Sequence, residues 1–383
     1  IKDKVFPEVN DPVVDYFERD INGDRSQEQC KLSQYISSTV KNDEILAPTF
    51  TTYVSTKVKK SLLVDFIDNN VKIRSIAKKE AQRAEVEGNT VLFQIKNNEQ
   101  DNRKRYNNSM SGAFAANGTV ISNPTAHSTL TSITRICSSL GNASNEKIIA
   151  GNRHYRNPQV TLDNIIYITS NLNKVELENV ILKYGLKFPT IEETLACIQY
   201  STNFYWKDIR AFQTIENFVC KLDPVERAGF VYCGDLYHLR KYNEQFVLKF
   251  LSQLSKKVTD NHSITIEECL SIMKTTDEQV VNFAHQVCIS EMKGKGKKYD
   301  KLDPAHLRTL ASTCYNIVAT IEEYRDFISA IFLTENVPSS VAYLPNMVRR
   351  SVVLSDTDST MFSTDEWVAW RFGDIIFTDE AFA

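Results

Sequence analysis

The chain has 383 residues, of which 42% are hydrophobic, so it can bury a sizeable core, and its length suggests two or three domains. The formal net charge of −3 gives no global field that would recruit nucleic acid, so any such contact must come from local basic patches. Glycine and proline are few, at 12 and 10 residues, which favours long helices over a sandwich of many short turns.

Cysteine usage and the absence of targeting signals predict a cytoplasmic protein without a membrane segment. The eight cysteines and the six histidines are scattered and show no metal-binding spacing, as expected of free thiols in a reducing compartment. The opening residues carry no signal peptide, and no apolar run approaches membrane-spanning length. The chain begins at Ile1 rather than Met and stops at Ala383, so we expect a piece cut from a longer polypeptide.

Hydrophobic periodicity and turn signals predict a mostly helical chain. In chain order, the first predicted elements are an extended segment at Ala47–Tyr53, a helix at about Lys57–Glu87 ended by Gly88-Asn89, a β-like run at Thr90–Ile95, a helix from near Asn97 through Asn108, and a helix at Pro124–Leu140. From about Thr161 to Thr334 the pattern is strongly helical, with capping boxes that begin at Thr190 and Thr265. The basic run at 292–298 is a solvated surface loop or a contact for a phosphate backbone.

The run Val352–Phe362 predicts a β-hairpin whose tip carries two carboxylates, Asp356 and Asp358. Residues i and i+2 share a face in an extended backbone, so both could present the oxygen ligands that suit Mg²⁺. Such a tip indicates metal-assisted phosphoryl transfer. The alternative is turn chemistry, because Asp caps its own backbone and tolerates unusual dihedral angles.

Two of the predicted helices place polar donors one turn apart. Arg74 and Lys78 are i and i+4 on the first helix, and Lys104 and Asn108 have the same spacing on the second. If the helices present these four side chains inward together, they would bind a triphosphate, whose charge is spread over several oxygens. For either helix alone, the alternative is an ordinary solvated face.

Four stretches in a fixed order resemble motifs of family B (pol alpha-like) DNA polymerases, with a likeness to the divergent polymerases of large bacteriophages. They are Arg74-x-x-x-Lys78 and Lys104-x-x-x-Asn108-Ser109-x-x-Gly112 for the two fingers helices, Thr131-Ser132-Ile133-Thr134-Arg135 for the segment after the fingers, and Asp356-Thr357-Asp358-Ser359 for the palm motif Tyr-Gly-Asp-Thr-Asp-Ser. The sequence departs from the family at Ser111, where the motif has Tyr, and at Leu354-Ser355, where it has Tyr-Gly. The family's first palm motif, an Asp followed by Ser-Leu-Tyr-Pro, has no convincing copy upstream of the fingers.

The resemblance implies an α+β fold: a small antiparallel palm sheet that carries Asp356 and Asp358, helical fingers, and a large, mostly helical insertion. The expected segments are a first palm-side segment at 1–46, the fingers helices at 47–115, a palm helix region at 116–160, the helical insertion at 161–340 and the palm hairpin at 341–383.

The resemblance also implies template-directed DNA synthesis from dNTPs on a primer-template, in the cytoplasm of an infected host cell. Asp358 would be a ligand of a two-ion Mg²⁺ site, with Asp356 beside it. Arg74, Lys78, Lys104 and Asn108 would bind the triphosphate, and Lys104 would also protonate the leaving pyrophosphate. The missing palm carboxylate, the exonuclease and the thumb would come from a second polymerase polypeptide.

Two other functions stay open on the sequence. One is a non-catalytic nucleic-acid-binding or scaffold subunit of a replication complex, which the changes at Ser111 and Leu354-Ser355 favour. The other is a different Mg²⁺-dependent nucleotidyl transferase with a chance Asp-Thr-Asp-Ser, which would give Lys104 and Asn108 no role.

Overall fold

A computed structural model describes residues 11–20, 22–86, 89–259, 264–288, 302–332, 347–356 and 359–382. Most of these residues are helical, and the strands among them form small two-stranded antiparallel sheets. The α+β fold class predicted from the sequence is therefore confirmed. The chain divides into two compact units, residues 1–136 and 137–383. The finer division into five segments stays a prediction.

The first unit contains short hairpins and a long helix pair. Its elements are β1 (Val13–Arg19), β2 (Arg25–Lys31), α1 (Leu32–Lys41), β3 (Ile45–Leu46), β4 (Thr52–Tyr53), α2 (Leu62–Val86), α3 (Thr90–Ala115) and the first part of α4 (Pro124–Ala150). The predicted extended segment at 47–53 contains only β4. Its first residues form a turn, because the Phe50 N–H donates to the Ala47 carbonyl at 2.9 Å.

The predicted helix pair corresponds to α2 and α3, with one correction. The β-like prediction for Thr90–Ile95 is wrong, since these residues begin α3. Asn89 caps the helix: its side chain accepts the Leu92 N–H at 3.1 Å, and its carbonyl accepts the Phe93 N–H at 3.0 Å. Local β propensity is a weak preference, which the cap and the packing against α2 override.

Short side chains bring α2 close to α3. Ala77, Ala81 and Ala84 are buried in a stripe along α2, whereas Phe66 and Val71 on the same helix are about half exposed, at 47% and 52%. The helix predicted at about 57–87 is confirmed as a helix from Leu62 to Val86, but Phe66 and Val71 do not lie on its buried face. The helix predicted at Pro124–Leu140 is also confirmed, and it continues to Ala150 as α4.

The second unit contains the rest of α4 and a large set of helices. They are α5 (Pro158–Ser170), α6 (Lys174–Tyr184), α7 (Ile191–Thr202), α8 (Ile209–Val219), α9 (Pro224–Tyr232), α10 (Leu236–Tyr242), α11 (Glu244–Leu254), α12 (Ile266–Thr275), α13 (Glu278–Val287), α14 (Pro304–Glu323) and α15 (Arg325–Phe332). Both predicted capping boxes are present: Thr190 and Thr265 each accept the N–H of the Glu three residues on, at 3.2 Å.

The interior of this unit has two recognisable cores. α9 lies in the first and packs against α5, α6, α7 and α10, with Phe230 and Val231 fully buried. The second lies among α12, α13 and α14 and is centred on residues such as Leu310 and Cys314. The predicted basic loop at 292–298 lies outside the described residues.

The predicted acidic hairpin is confirmed as β5 (Val352–Ser355) paired with β6 (Thr360–Phe362). The strands are antiparallel, with Val352 opposite Phe362 and Ser355 opposite Thr360. Two short helices follow, α16 (Asp365–Phe372) and α17 (Asp379–Phe382). In the part of the chain that the structure describes, no helix has the length and apolar character needed to cross a membrane.

Candidate nucleotide and metal site

Three polar contacts set the register of the α2/α3 pair. The buried Asn70 donates from Nδ2 to Asn107 Oδ1 at 3.3 Å and accepts at Oδ1 from Arg103 Nη1 at 2.7 Å. Further along, Glu80 pairs with Lys96 at 2.8 Å. Residue numbers rise on α2 as they fall on α3, so the two helices run antiparallel.

The four predicted phosphate-binding residues lie on this pair. Counting about 100° per residue from the contact residue Asn70, Arg74 and Lys78 lie roughly 40° and 80° to one side of the helix–helix contact. Counting in the same way from Arg103, Lys104 and Asn108 lie roughly 100° and 140° in the same rotational sense. For antiparallel helices that face each other, the same sense of rotation leads to the same side of the pair.

The four side chains differ in exposure. Lys78, Lys104 and Asn108 are exposed, whereas Arg74 is partly buried. The Nε of Arg74 is buried and has no hydrogen-bond partner among the described residues. A buried donor without a partner costs free energy, so a shift of the side chain that brought this group to an anionic oxygen would lose no existing bond.

The other side of the pair has a different chemistry. A cleft of about 760 Å³ there is lined by Phe66, Ile95, Asn98, Glu99, Asn102, Arg103 and Tyr106. Aromatic and amide groups dominate it, and Arg103 is already bonded to Asn70. The cationic side of the pair is therefore the one that suits a polyphosphate.

Ser111, which stands where the family motif has Tyr, lies near the end of α3. His127 of α4 places its Nδ1 3.0 Å from the Ser111 carbonyl and 3.3 Å from the Ser111 Oγ. The contact fixes the end of α3 against the start of α4. It uses a short polar side chain where the family motif carries an aromatic one.

α4 holds the acidic hairpin through two side chains one turn apart. The first, Asn142, donates from Nδ2 to Ser355 Oγ at 2.8 Å and accepts at Oδ1 from Thr360 Oγ1 at 2.9 Å. One amide thus bridges the last residue of β5 and the first residue of β6. It fixes both sides of the hairpin tip.

The second side chain, Glu146, is a carboxylate with only 1% exposure. Its Oε1 accepts the Ser351 and Val352 N–H groups at 2.7 and 2.6 Å, and its Oε2 accepts the Arg350 N–H at 2.9 Å and Asn152 Nδ2 at 2.5 Å. Four donors compensate the burial of the charge. Sequence reasoning missed Asn142 and Glu146, since nothing local marks a helix residue whose partners lie some 200 positions away.

Only one of the two predicted metal ligands lies in the described part of the structure. Asp356 is exposed at the end of β5, and its N–H donates to the Ser359 carbonyl at 2.8 Å, which closes the tip. Asp358 lies outside the described residues. Asp356 belongs to the second unit, and the four phosphate-binding candidates belong to the first. An exposed carboxylate on a hairpin tip fits the oxygen chemistry of Mg²⁺.

A buried charged network near α10 was not predicted. Asp235 Oδ2 accepts from Arg153 Nη2 and Nε at 2.7 and 3.1 Å and lies 2.9 Å from His238 Nδ1. Burial opposes ionisation of Asp235, but the charges of His238 and Arg153 outweigh it and lower the pKa of the carboxyl. Burial likewise opposes protonation of His238, and Asp235 outweighs it and raises the pKa of the imidazole to about 9.

Cys197, Asp235 and His238 bring three potential metal ligands within 4.8 Å of one another. A cation there would lie beside the Arg153 guanidinium, which already occupies the carboxylate, and structural zinc sites normally have four protein ligands. The cluster therefore fits an internal ion-pair network better than a metal centre. Its residues are scattered in sequence, so no spacing motif could have revealed it.

Lys147, next to Glu146 on α4, is the other unexpected buried charge. Lys147 is buried, and its Nζ donates to the Cys233 carbonyl at 2.9 Å. Burial, with the nearby charge of Arg153, lowers the pKa of Lys147 to about 7. Asn142, Glu146 and Lys147 together make the end of α4 the contact between the hairpin and the helical part of the second unit.

Comparison with known proteins identifies the family of the chain. The family model described as divergent family B DNA polymerase matches residues 2–383. The chain belongs to this family. Polymerases of the family act on DNA and deoxynucleoside triphosphates and generally use Mg²⁺. No curated protein and no solved structure matches the chain.

Proposed function

We propose that the chain carries the nucleotide-binding fingers and the acidic palm hairpin of a DNA polymerase that transfers a nucleotidyl group from a dNTP to a primer 3′-hydroxyl. The observation that carries the proposal is the antiparallel register of α2 and α3, set by Asn70 against Arg103 and Asn107. With this register, both predicted motifs project from one side of a single helix pair, as a shared ligand requires.

The register also gives the positions of the four side chains along the pair. Asn70 is level with the midpoint between Arg103 and Asn107, so Arg74 and Lys104 lie within about 5 Å of each other along the axis. Lys78 and Asn108 lie beyond them, toward opposite ends. Long cationic side chains in this order can bind successive phosphates of one nucleotide, each through charge-assisted hydrogen bonds.

The proposed roles are those that the family resemblance implies. Arg74, Lys78 and Asn108 orient the triphosphate, and Lys104, near the middle of the set, donates a proton to the leaving pyrophosphate. Asp356 and Asp358 would hold Mg²⁺, which when bound lowers the pKa of the primer hydroxyl and stabilises the leaving oxygens.

The proposal includes a further palm carboxylate from another polypeptide or segment, along with the exonuclease and the thumb. What supports it is the lack of a recognisable Asp-Ser-Leu-Tyr-Pro motif ahead of α2 in this sequence. We also propose that the protein acts in the cytoplasm of an infected host cell, which the likeness of its motifs to polymerases of large bacteriophages supports.

The second candidate is a non-catalytic scaffold that retains the shape of a polymerase. It is favoured by Ser111, whose carbonyl and hydroxyl both contact His127 where the family motif has an aromatic residue. It predicts binding of DNA without any dependence on Lys104 or Asp358.

The first experiment measures binding of a fluorescent dNTP to this chain alone by anisotropy. Lys104→Ala should weaken binding about tenfold or more, because a charged hydrogen bond to phosphate contributes about 1.5–3 kcal/mol. The matched control is Arg105→Ala, an exposed cation on the same helix. Counting about 100° per residue from Arg103, it lies on the face of α3 opposite α2 and should leave the affinity unchanged. Equal effects of the two substitutions would contradict the assignment of Lys104.

The second experiment is primer extension with Mg²⁺ and dNTPs, with this chain alone and then mixed with the polypeptide encoded just upstream. Activity should be lost in Asp358→Asn and Asp356→Asn and retained in Asp374→Asn, an exposed carboxylate just after α16. DNA binding without extension under every condition would favour the scaffold.

A further inference from the structure

The resemblance gives no role to the helices between α4 and the acidic hairpin. Two of them, α7 and α10, contact the chain on both sides of that hairpin. On its entry side, the Val348 N–H donates to Tyr205 Oη at 3.1 Å, just after α7, and Arg350 Nη2 donates to the Tyr200 carbonyl at 3.3 Å. The residues that lead into β5 are therefore held by the helical segment.

Arg350 is the centre of the contact on the entry side. Its guanidinium lies 3.6 Å from the ring centre of Tyr200 and 4.9 Å from that of Phe204. Its backbone N–H is bonded to Glu146 at 2.9 Å. A planar guanidinium between two rings is held in one orientation, because cation–π attraction acts through the ring faces.

Arg240 of α10 makes the corresponding contact on the exit side. Its guanidinium lies 4.2 Å from the ring centre of Trp367, 5.1 Å from that of Trp370 and 5.0 Å from that of Tyr237. Both tryptophans belong to α16, which begins directly after β6. Trp370 also donates from Nε1 to Glu244 Oε1 at 2.8 Å, so α16 is bonded to α11 as well.

The contacts on the entry and exit sides are connected through two stacked tyrosines. Tyr200 and Tyr237 are stacked, with ring centres 5.3 Å apart and planes inclined by 25°. Arginines and aromatic rings thus form one continuous stack from the entry of the hairpin to its exit. We call this set the cation–aromatic ladder, and its members are Phe204, Arg350, Tyr200, Tyr237, Arg240, Trp367 and Trp370.

We propose that α7 and α10 act as a positioning element for the acidic tip, and that Arg240, through the cation–aromatic ladder, is the residue that transmits their position to it. The significance for catalysis rests on the proposed function. The ladder contacts the chain before β5 and after β6, while Asn142 and Glu146 bond to the strands themselves. Contacts before β5, after β6 and along both strands would hold Asp356, at the end of β5, in one position, as a metal-binding carboxylate requires.

The test compares Arg240→Gln with Arg227→Gln in the full chain. Arg227 is the control: it is partly buried, whereas Arg240 is buried, and it bonds to carbonyls of Pro189 and Leu222 at 3.0 and 2.7 Å within the same unit. Amide hydrogen exchange of residues 351–362 should be about tenfold faster in Arg240→Gln and unchanged in Arg227→Gln, even if both variants lose similar thermal stability. Arg240→Lys, which keeps the charge but not the planar stack, should lie between wild type and Arg240→Gln.

The second measurement is the rate of primer extension and its dependence on Mg²⁺. In primer extension, Arg240→Gln should lower kcat about tenfold and raise the Mg²⁺ concentration for half-maximal rate, with KM for dNTP unchanged, since the triphosphate binds on the fingers. Equal exchange of 351–362 in the two variants would overturn the proposal, as would an unchanged Mg²⁺ requirement in Arg240→Gln. Absence of primer extension by the wild type mixed with the polypeptide encoded just upstream would count against the proposed function, while the exchange comparison would still decide whether the ladder holds the hairpin.

Discussion

The carboxylate of Glu146 offers the sharpest test of how the hairpin is held. In Glu146→Gln, the amide can place its oxygen toward Ser351 and Val352 or toward Arg350 and Asn152, but not toward both pairs. In either orientation its NH₂ group faces two donors, of which the Arg350 N–H also has a longer contact of 3.2 Å with the Oε1 position. A donor that loses its acceptor costs about 1–3 kcal/mol, and the NH₂ group repels the donors it faces, so we predict a loss of roughly 3 kcal/mol in the free energy of unfolding.

The assay is chemical and thermal denaturation of the wild type and Glu146→Gln. A loss of roughly 3 kcal/mol corresponds to a fall in Tm of about 6–12 °C for a unit of this size. Hydrogen exchange should speed up at the Ser351 and Val352 amides in particular. The matched control is Glu178→Gln on the exposed face of α6, which should change stability by less than about 0.5 kcal/mol.

The outcome that would refute this reasoning is a loss of less than about 1 kcal/mol in Glu146→Gln, because each unpaired donor alone should cost at least that much. Unchanged exchange at Ser351 and Val352 would refute it as well. Either result would mean that the carboxylate is not the acceptor that anchors β5.

Two further predictions concern the buried charges of the second unit. Burial lowers the pKa of Lys147 to about 7 in the folded protein, whereas the unfolded chain keeps its ordinary pKa of about 10. The buried charge therefore destabilises the fold by its full amount below pH 7, and by less and less as pH rises to about 10. The stability gained by Lys147→Met over wild type, from denaturation midpoints, should therefore shrink as pH rises from 7 to 10, and a constant difference would contradict the buried charge. Asp235→Asn leaves the buried Arg153 without its carboxylate and should cost about 3–5 kcal/mol in the same assay; a cost under 1 kcal/mol would show that the pair is not internal.

Local chemistry explains which elements could be read from the sequence. The capping boxes at Thr190 and Thr265 were predictable because donor and acceptor lie three residues apart, so the pattern contains the whole interaction. The acidic hairpin was predictable for a similar reason, since its strands and tip fall within one short run. The run Thr90–Ile95 was not, because its β propensity yields to an Asn89 cap and to a helix that precedes it in the chain.

The sequence by itself determined the family motifs, the two donor pairs at i and i+4, and the run that carries Asp356. Only the tertiary structure decided that both donor pairs project from one side of an antiparallel helix pair, and that Glu146 and the cation–aromatic ladder hold the hairpin. The physical reason is the distance along the sequence between the residues that interact. Motifs and caps are set by neighbours within a turn or two, whereas helix register and buried charge pairing depend on which distant residues the fold brings together.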